Sequence, residues 1–218
     1  MDAIISGEIM TTKYNVTIVD YGMGNLGSLV NVCDFFDVRY EISNDAKKVL
    51  EAETIILPGV GSFGSAMKAL KELNLIDALR EAVLVKNIKI LGICLGFQMF
   101  AQSSTEDGFT EGLGFIDGEV DCFDKLNISD KKKIHIGFNE VKSNSNSCLF
   151  NNIPKVADFY FVHSYCLLPG HKQSSEAISN YGIDFLAAYE EGNIFGTQFH
   201  PEKSQTNGIQ LFKNFLKA

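Results

Sequence analysis

The residues best suited by type and spacing to covalent chemistry lie in Gly92-Ile93-Cys94-Leu95-Gly96. This run ends an apolar, β-branched stretch, 88–93, and leads into a helical pattern over Phe97–Gln102. A strand that turns sharply into a helix holds its apex residue in a strained conformation, and glycines two residues to either side give the room for it. The apex thiol then stands at a helix N-terminus, whose partial positive charge favours the thiolate. Amide hydrogens there can bind the oxyanion of an attacked carbonyl. The pattern also suits a small buried cysteine in a strand exit. Cys33, Cys122, Cys148 and Cys166 lack this context; Cys33 on an apolar helix face and Cys166 in a strand read as packing residues.

A thiol that attacks an amide needs a base, and the base needs an orienting group. Of the four histidines, His200 stands in His200-Pro201-Glu202. Proline holds the preceding residue extended, and in extended chain residues i and i+2 project to the same side. Glu202 can then hold the tautomer of His200, at the carboxyl end of an apolar strand over 194–198. His163, after Phe159-Tyr160-Phe161-Val162, is a rival base without a carboxylate nearby in sequence and reads as structural. His135 and His171 read as loop or surface residues, and no histidine pair has metal-ligand spacing.

Two glycine-rich turns follow strands. Pro58-Gly59-Val60-Gly61 offers backbone N–H groups in a nest for an oxyanion or a carboxylate, or it is a plain strand-to-helix turn. Gly22-Met23-Gly24-Asn25-Leu26-Gly27 is a literal G-x-G-x-x-G after the first strand, with Glu41 near the end of the second. Asp20-Tyr21 separate it from its strand, where a dinucleotide fingerprint turns at once, and this argues against a dinucleotide.

The elements that must position these residues alternate. Apolar runs at 16–20, 38–42, 53–57 and 88–93 are separated by helical spacing over 25–36 and 62–86. This predicts an α/β fold with a doubly wound, mostly parallel sheet covered on both faces, with sites at the carboxyl ends of the strands. Beyond about residue 105 short strands are expected near 115–123, 134–142, 157–162, 185–189 and 194–198, then an amphipathic helix over 206–217. Residues 1–13 read as a poorly ordered extension, with Met10 an alternative start, and 14–218 as a single domain.

The chain has 218 residues, 45% hydrophobic and 21% charged, which is globular composition able to bury one large core. A net charge of −8 gives no phosphate-neutralising face, and Lys131-Lys132-Lys133 is the only basic cluster, so nucleic acid is not an expected partner. No run reaches the roughly 18 apolar residues of a membrane span. Five widely spaced cysteines without a C-x-x-C pair suit reduced thiols in the cytoplasm.

Taken together, these residues resemble the triad-type (class I) glutamine amidotransferases, and among them the glutaminase subunits of imidazole glycerol phosphate synthases. The matching segments are Asp20–Asn25, Leu57–Gly64, Gly92–Gly96 with Gln98, Thr110–Gly114, Tyr160–Tyr165 and Phe195–Lys203, in order over about 14–217. The resemblance implies a flavodoxin-like, three-layer fold with an antiparallel extension. It implies that Cys94 attacks the glutamine carboxamide, assisted by His200 and Glu202, and passes through a thioester. Gln98 and Glu106 would hold the amino-acid end of glutamine, Gly59 and Gly61 line the pocket, and Ser164 and Tyr165 close it. The backbone around Val60 and the Leu95 amide would form the oxyanion hole. Asn25, Phe138, Tyr160 and Lys203 would face the partner, a (β/α)₈-barrel cyclase that takes the ammonia. No cofactor or metal is implied.

One segment departs from the pattern: Ile134-His135-Ile136-Gly137-Phe138-Asn139 stands where the histidine-pathway subunit usually reads Pro-His-Met-Gly-Trp-Asn, and the chain has no tryptophan. An alternative expectation is the same chemistry feeding amidation of a nucleotide-linked sugar for surface polysaccharide. Outside this class stand a free-standing cysteine hydrolase and a non-catalytic dinucleotide-binding module. A glutamine-analogue diazo-ketone should label Cys94 and none of the other four cysteines; peptide mapping that finds label on Cys33 or Cys166 would count against the site.

Overall fold

The computed structural model describes residues 15–123, 134–143, 146–170 and 174–218. The N-terminal extension 1–13, Lys131-Lys132-Lys133 and His171 lie outside the described residues. Along the chain, β1 (Asn15–Val19), α1 (Leu26–Phe35), β2 (Arg39–Ser43), α2 (Ala46–Leu50), β3 (Thr54–Leu57), α3 (Phe63–Glu72), α4 (Leu75–Arg80), β4 (Lys89–Ile93) and α5 (Leu95–Gln98) alternate. There follow β5 (Ser103–Ser104), β6 (Thr110–Glu111), β7 (Glu119–Cys122), β8 (His135–Ser143), β9 (Val156–His163), β10 (Tyr165–Cys166), β11 (Ser175–Asn180), β12 (Asp184–Glu191) and β13 (Ile194–Thr197), and then α6 (Gln205–Lys217).

The β-branched runs pair as a nine-stranded sheet in the order β2-β1-β3-β4-β13-β12-β11-β8-β9. From β2 to β13 neighbours are parallel; from β13 to β9 they are antiparallel. A small four-stranded sheet, β10-β7-β5-β6, lies apart. Strand residues alternate between two apolar layers, as the period of two requires. Ile56, Leu91 and Ile93 pack with Leu29 and Cys33 of α1 and Phe212 and Phe215 of α6. Ile55, Leu57 and Ile90 pack with Val49 of α2, Phe63, Met67 and Leu70 of α3 and Leu79 of α4. Three layers result, with the parallel half of the sheet buried on both faces.

The helical pattern over 62–86 is divided: α3 stops at Glu72, Asn74 takes a left-handed φ of 56°, and α4 runs into a π-helical turn, Glu81–Val85. Asparagine tolerates that conformation better than other non-glycine residues, so it is the weak point of the pattern. The helix expected over Phe97–Gln102 is instead Leu95–Gln98. The loop 112–116 ends it by donating Leu113, Gly114, Phe115 and Ile116 amides to the carbonyls of Met99, Ala101 and Phe100. A helix this short has little macrodipole, so the amides around Cys94 act locally. β11 was not expected, because Ser175-Glu176-Ala177-Ile178-Ser179-Asn180 is polar; the two neighbouring strands hold it by pairing on both edges.

Close approach at the elbow depends on glycine. A Cβ on Gly96 would lie 1.8 Å from the Leu57 carbonyl oxygen, and one on Gly196 2.0 Å from the Phe97 ring. Gly27, the last glycine of the G-x-G-x-x-G run, behaves oppositely: a Cβ there meets nothing within 4 Å. A dinucleotide fingerprint needs that glycine for tight helix–strand packing, so the geometry argues against a dinucleotide loop. Gly96→Ala should therefore destabilise the chain by about 2 kcal/mol or more, lowering Tm by about 4–8 °C at this size. Gly27→Ala should be neutral or raise Tm by a degree or two. Calorimetry on the two variants checks the contrast.

Candidate active site

Parallel pairing of β4 with β13 places Ile93 beside Thr197, and the Cys94 amide donates to the Thr197 carbonyl at 2.8 Å. The elbow and the His-Pro-Glu segment thus leave the same end of the sheet side by side. Cys94 has φ 55° and ψ −110°, a strained conformation for a residue with a side chain, as the elbow predicts. Its side chain is 7% exposed and opens on a cleft of about 340 Å³.

His200 is extended (φ −96°, ψ 97°), and its Nδ1 lies 2.7 Å from Glu202 Oε1, with both side chains 3% exposed. The expectation of a wholly extended segment is corrected. Pro201–Lys203 form a 3₁₀ turn, and that turn swings the carboxylate back beneath the ring. The His200 backbone is held twice: its amide donates to the Tyr160 carbonyl at 2.9 Å, and Ser204 Oγ donates to its carbonyl at 2.6 Å. Burial disfavours the His200 imidazolium. Hydrogen bonding and charge from Cys94 and Glu202 outweigh it and push the ring up, which favours the imidazolium once the sulfur has given up its proton. Nε2, on the other side of the ring, is buried without an aligned hydrogen bond. The Cys94 Sγ instead lies 3.8 Å from the Val162 carbonyl, to which its S–H donates. Cys94, His200 and Glu202 are thus brought together, with the sulfur proton directed at the Val162 carbonyl and not at the imidazole.

His163 also lines the cleft, but its nitrogens are spent. Nδ1 is 2.8 Å from the Tyr165 carbonyl, which can only accept, so Nδ1 carries the proton. Nε2 then accepts from His135 Nδ1 at 3.0 Å, and Asn139 Nδ2 approaches His135 Nε2 at 3.1 Å. Burial, opposed by the Tyr165 bond, holds the His163 imidazolium down to about 3, so the ring is neutral. It is not a base. His135 was expected in a loop or on the surface; it is 3% exposed and inside β8.

Val60, Gly61, Leu95, Gln98, Glu106, Ser164 and Tyr165 line the cleft, as the resemblance implies. Gly59 does not. It lies beneath, where a Cβ would be 2.6 Å from the Tyr21 hydroxyl and 2.8 Å from the Gly96 nitrogen. Glu106 Oε2 accepts from the Phe63 amide at 2.7 Å, and burial raises its carboxyl group. The Val60 amide points away from the cleft and donates to the Met23 carbonyl at 3.0 Å. In this conformation it does not serve an oxyanion, contrary to expectation; Leu95, first in α5, keeps an amide outside the helical ladder. Two cleft neighbours escape sequence reasoning. Tyr21 donates to the Pro58 carbonyl at 2.8 Å, and Gln198, fully buried, donates from Nε2 to Cys94 Sγ at 3.8 Å. The only signal for Gln198 is its place two residues before His200.

Of the residues expected to face a partner, Asn25, Phe138 and Lys203 are exposed and Tyr160 is half-buried. Phe138 meets Tyr160 edge-on at 5.5 Å. Ile134, Ile136 and Val162 extend this into an exposed apolar row, and Ile134 and Val162 also line the cleft. Burial pushes the thiols of Cys33 to about 11 and Cys166 to about 12, in keeping with packing roles. Among the described residues no cluster of metal-ligating side chains occurs, and no helix is long and apolar enough to cross a membrane.

The family model for "Glutamine amidotransferase class-I" matches residues 17–218. "Imidazole glycerol phosphate synthase subunit HisH 1" of Campylobacter jejuni (strain RM1221) is 43% identical over 206 residues, covering 93% of this chain and 99% of its own. "Imidazole glycerol phosphate synthase subunit HisH 2" of Methanococcus maripaludis is 42% identical over 203 residues, covering 93% and 98%. Among solved structures, PurLQS from Thermotoga maritima superposes with a TM-score of 0.72 at 17% identity, over 94% of this chain and 98% of that one, a likeness of fold.

His200→Ala should abolish turnover of an amide substrate, whereas Glu202→Gln should be about 10–100-fold less damaging, because the imidazole moves the proton and the carboxylate orients it. Steady-state kinetics of the two variants side by side would reverse the roles if Glu202→Gln proved the worse.

Proposed function

Because this chain belongs to the class-I glutamine amidotransferase family, we propose that its Cys94–His200–Glu202 set hydrolyses glutamine and delivers the ammonia to a barrel-type cyclase. The observation that carries this is the 2.7 Å His200–Glu202 pair beside a strained Cys94 at the end of the β4–β13 pairing. Cys94 sulfur attacks the carboxamide carbon, and its proton passes to His200. The C–N bond breaks as His200 returns that proton to the leaving nitrogen, giving ammonia and a thioester. Water then attacks the thioester with His200 again as base, releasing glutamate and the thiol. Glu202 orients and stabilises the imidazolium throughout. Gln98 and Glu106 face the amino-acid end of glutamine, with Ser164 and Tyr165 at the mouth.

The partner reading is the heterodimer of an imidazole glycerol phosphate synthase, in which the cyclase uses ammonia to make imidazole glycerol phosphate and aminoimidazole carboxamide ribotide. The relatives' names and the exposed row of Ile134, Ile136 and Phe138 beside the cleft support it. Tyr160 adjoins that row through Phe138, and the resemblance assigns Asn25 and Lys203 to the same interface. We read 14–218 as a single domain. Five free cysteines suit a cytoplasmic setting. One observation favours a second reading, ammonia delivery to a cyclase-like enzyme that amidates a nucleotide-linked sugar: Phe138 stands where the histidine-pathway subunit usually carries tryptophan.

The Val60 amide bonded to Met23, and the sulfur proton turned toward Val162, support reading the isolated chain as not yet set for turnover. The Val60 amide belongs to the Gly59–Val60 peptide, and Gly59, without a side chain, allows that peptide to turn over at small steric cost. Partner binding can drive that change only by its differential affinity for the active arrangement. One oxyanion donor is worth about 3–4 kcal/mol, or about 10²–10³ in rate. The purified chain should therefore hydrolyse glutamine at least about 100-fold more slowly than its complex with the cyclase and acceptor ligand, and free ammonia should support the cyclase alone. Glutamate release measured with and without each component is the test. Equal rates throughout would point to a free-standing hydrolase.

A further inference from the structure

One buried polar side chain beside the nucleophile has no part in the mechanism above. Gln198 follows β13, is wholly buried, and has its backbone amide fixed by the Ala187 carbonyl at 2.8 Å. Its side chain lies between Gln98 and Cys94.

The orientation of this amide follows from a single backbone carbonyl. Tyr165 O can only accept, and the Gln98 amide atom 2.8 Å from it is therefore Nε2. Gln98 Nε2 also lies 3.0 Å from Gln198, so the facing atom there must be the acceptor, Oε1. That leaves Gln198 Nε2 directed at Cys94 Sγ, 3.8 Å away. The far end is equally fixed: the same Tyr165 carbonyl receives the proton of His163 Nδ1, and His163 is held by His135. Each donor thus has a defined acceptor, from the His135–His163 pair to the sulfur.

We propose that Gln198 is a positioning residue with two separable tasks: its Nε2 meets the negative charge that develops on Cys94 sulfur, and its Oε1 holds the Gln98 amide so that Gln98 Oε1 faces the cleft. The second task follows from counting. Gln98 Nε2 has two hydrogens, and both are spent, on Tyr165 and on Gln198. Only the Gln98 carbonyl oxygen remains for substrate, and it can receive an ammonium group but cannot serve a carboxylate. The first task follows from the donor–sulfur contact: an N–H aimed at sulfur favours its charged form. The inference rests on the reading of Cys94 as the nucleophile and extends it to the residue that steadies both sulfur and substrate.

Two substitutions separate the tasks. Gln198→Glu keeps an oxygen for Gln98 Nε2 but removes the donor to sulfur. Gln198→Met fills similar space and removes both. In the full-length chain, the rate of Cys94 carboxamidomethylation by iodoacetamide is read by peptide mapping and normalised to the half-buried Cys122 of the same sample. Both variants should slow Cys94 at least about fivefold with Cys122 unchanged. In the complex with the cyclase, Gln198→Glu should lower kcat with KM for glutamine close to wild type, whereas Gln198→Met should also raise KM several-fold. A side chain that merely fills the core would give no such split. Cys94 alkylating at the wild-type rate in both variants, or KM moving equally in both, would overturn the proposal. The alkylation assay needs neither glutamine nor partner. A wild-type complex that fails to hydrolyse glutamine would instead overturn the functional reading, while Gln198 is still decided by the labelling.

Discussion

The arrangement of the site depends on one contact, the parallel pairing of β4 with β13, closed by the Cys94 amide on the Thr197 carbonyl. These strands lie about a hundred residues apart in sequence, and ordering so much intervening chain is costly. Two buried faces repay that cost, with Leu91 and Phe195 in one apolar layer and Ile90 in the other. Once the pair is in register the rest is local. The elbow must turn at Cys94 because Gly96 presses on Leu57 and Gly92 on Phe97. His200 then falls beside it because only Gln198 and Phe199 separate it from the end of β13.

What could be read from the residues follows the range of the forces involved. The strained thiol was legible because glycine spacing reports local backbone geometry. The His200–Glu202 pairing was legible too, although a 3₁₀ turn rather than extended chain produces it. The parallel half of the sheet showed in its β-branched runs, while β11 did not, since pairing on both edges compensates its polar composition. Position 135 shows the other limit. A histidine between isoleucines in a period-two strand faces opposite to them, and whether that face is water or core is decided by what packs there. Here Phe161, Tyr181 and Phe185 do, and the ring is buried. Gln198 was missed for a similar reason, because its partners Gln98 and Cys94 arrive from another part of the chain.

Three glycine-bearing segments near the site differ in physical role despite similar composition. Gly96 and Gly59 are required by close backbone approach, Gly61 by its positive φ, and Gly27 by neither. The first loop matters for another reason: the Met23 carbonyl occupies the Val60 amide. A G-x-G-x-x-G run is thus read correctly only with the segment it touches, and here that segment is the turn after β3.

The backbone bonds around His200 carry a consequence beyond catalysis. β9 is the outermost strand of the nine-stranded sheet, and such a strand ordinarily offers a row of free amides and carbonyls on which another chain can pair. At Tyr160 both are taken, the carbonyl by the His200 amide and the amide by Ser204 Oγ, while Asn207 Nδ2 occupies the carbonyl of Asp158. The segment that presents the His200 imidazole is therefore also the cover of the outer sheet edge beside an apolar row. Loosening it would bare a template for strand-to-strand pairing, so the same few bonds both hold His200 in place and close the edge of the sheet.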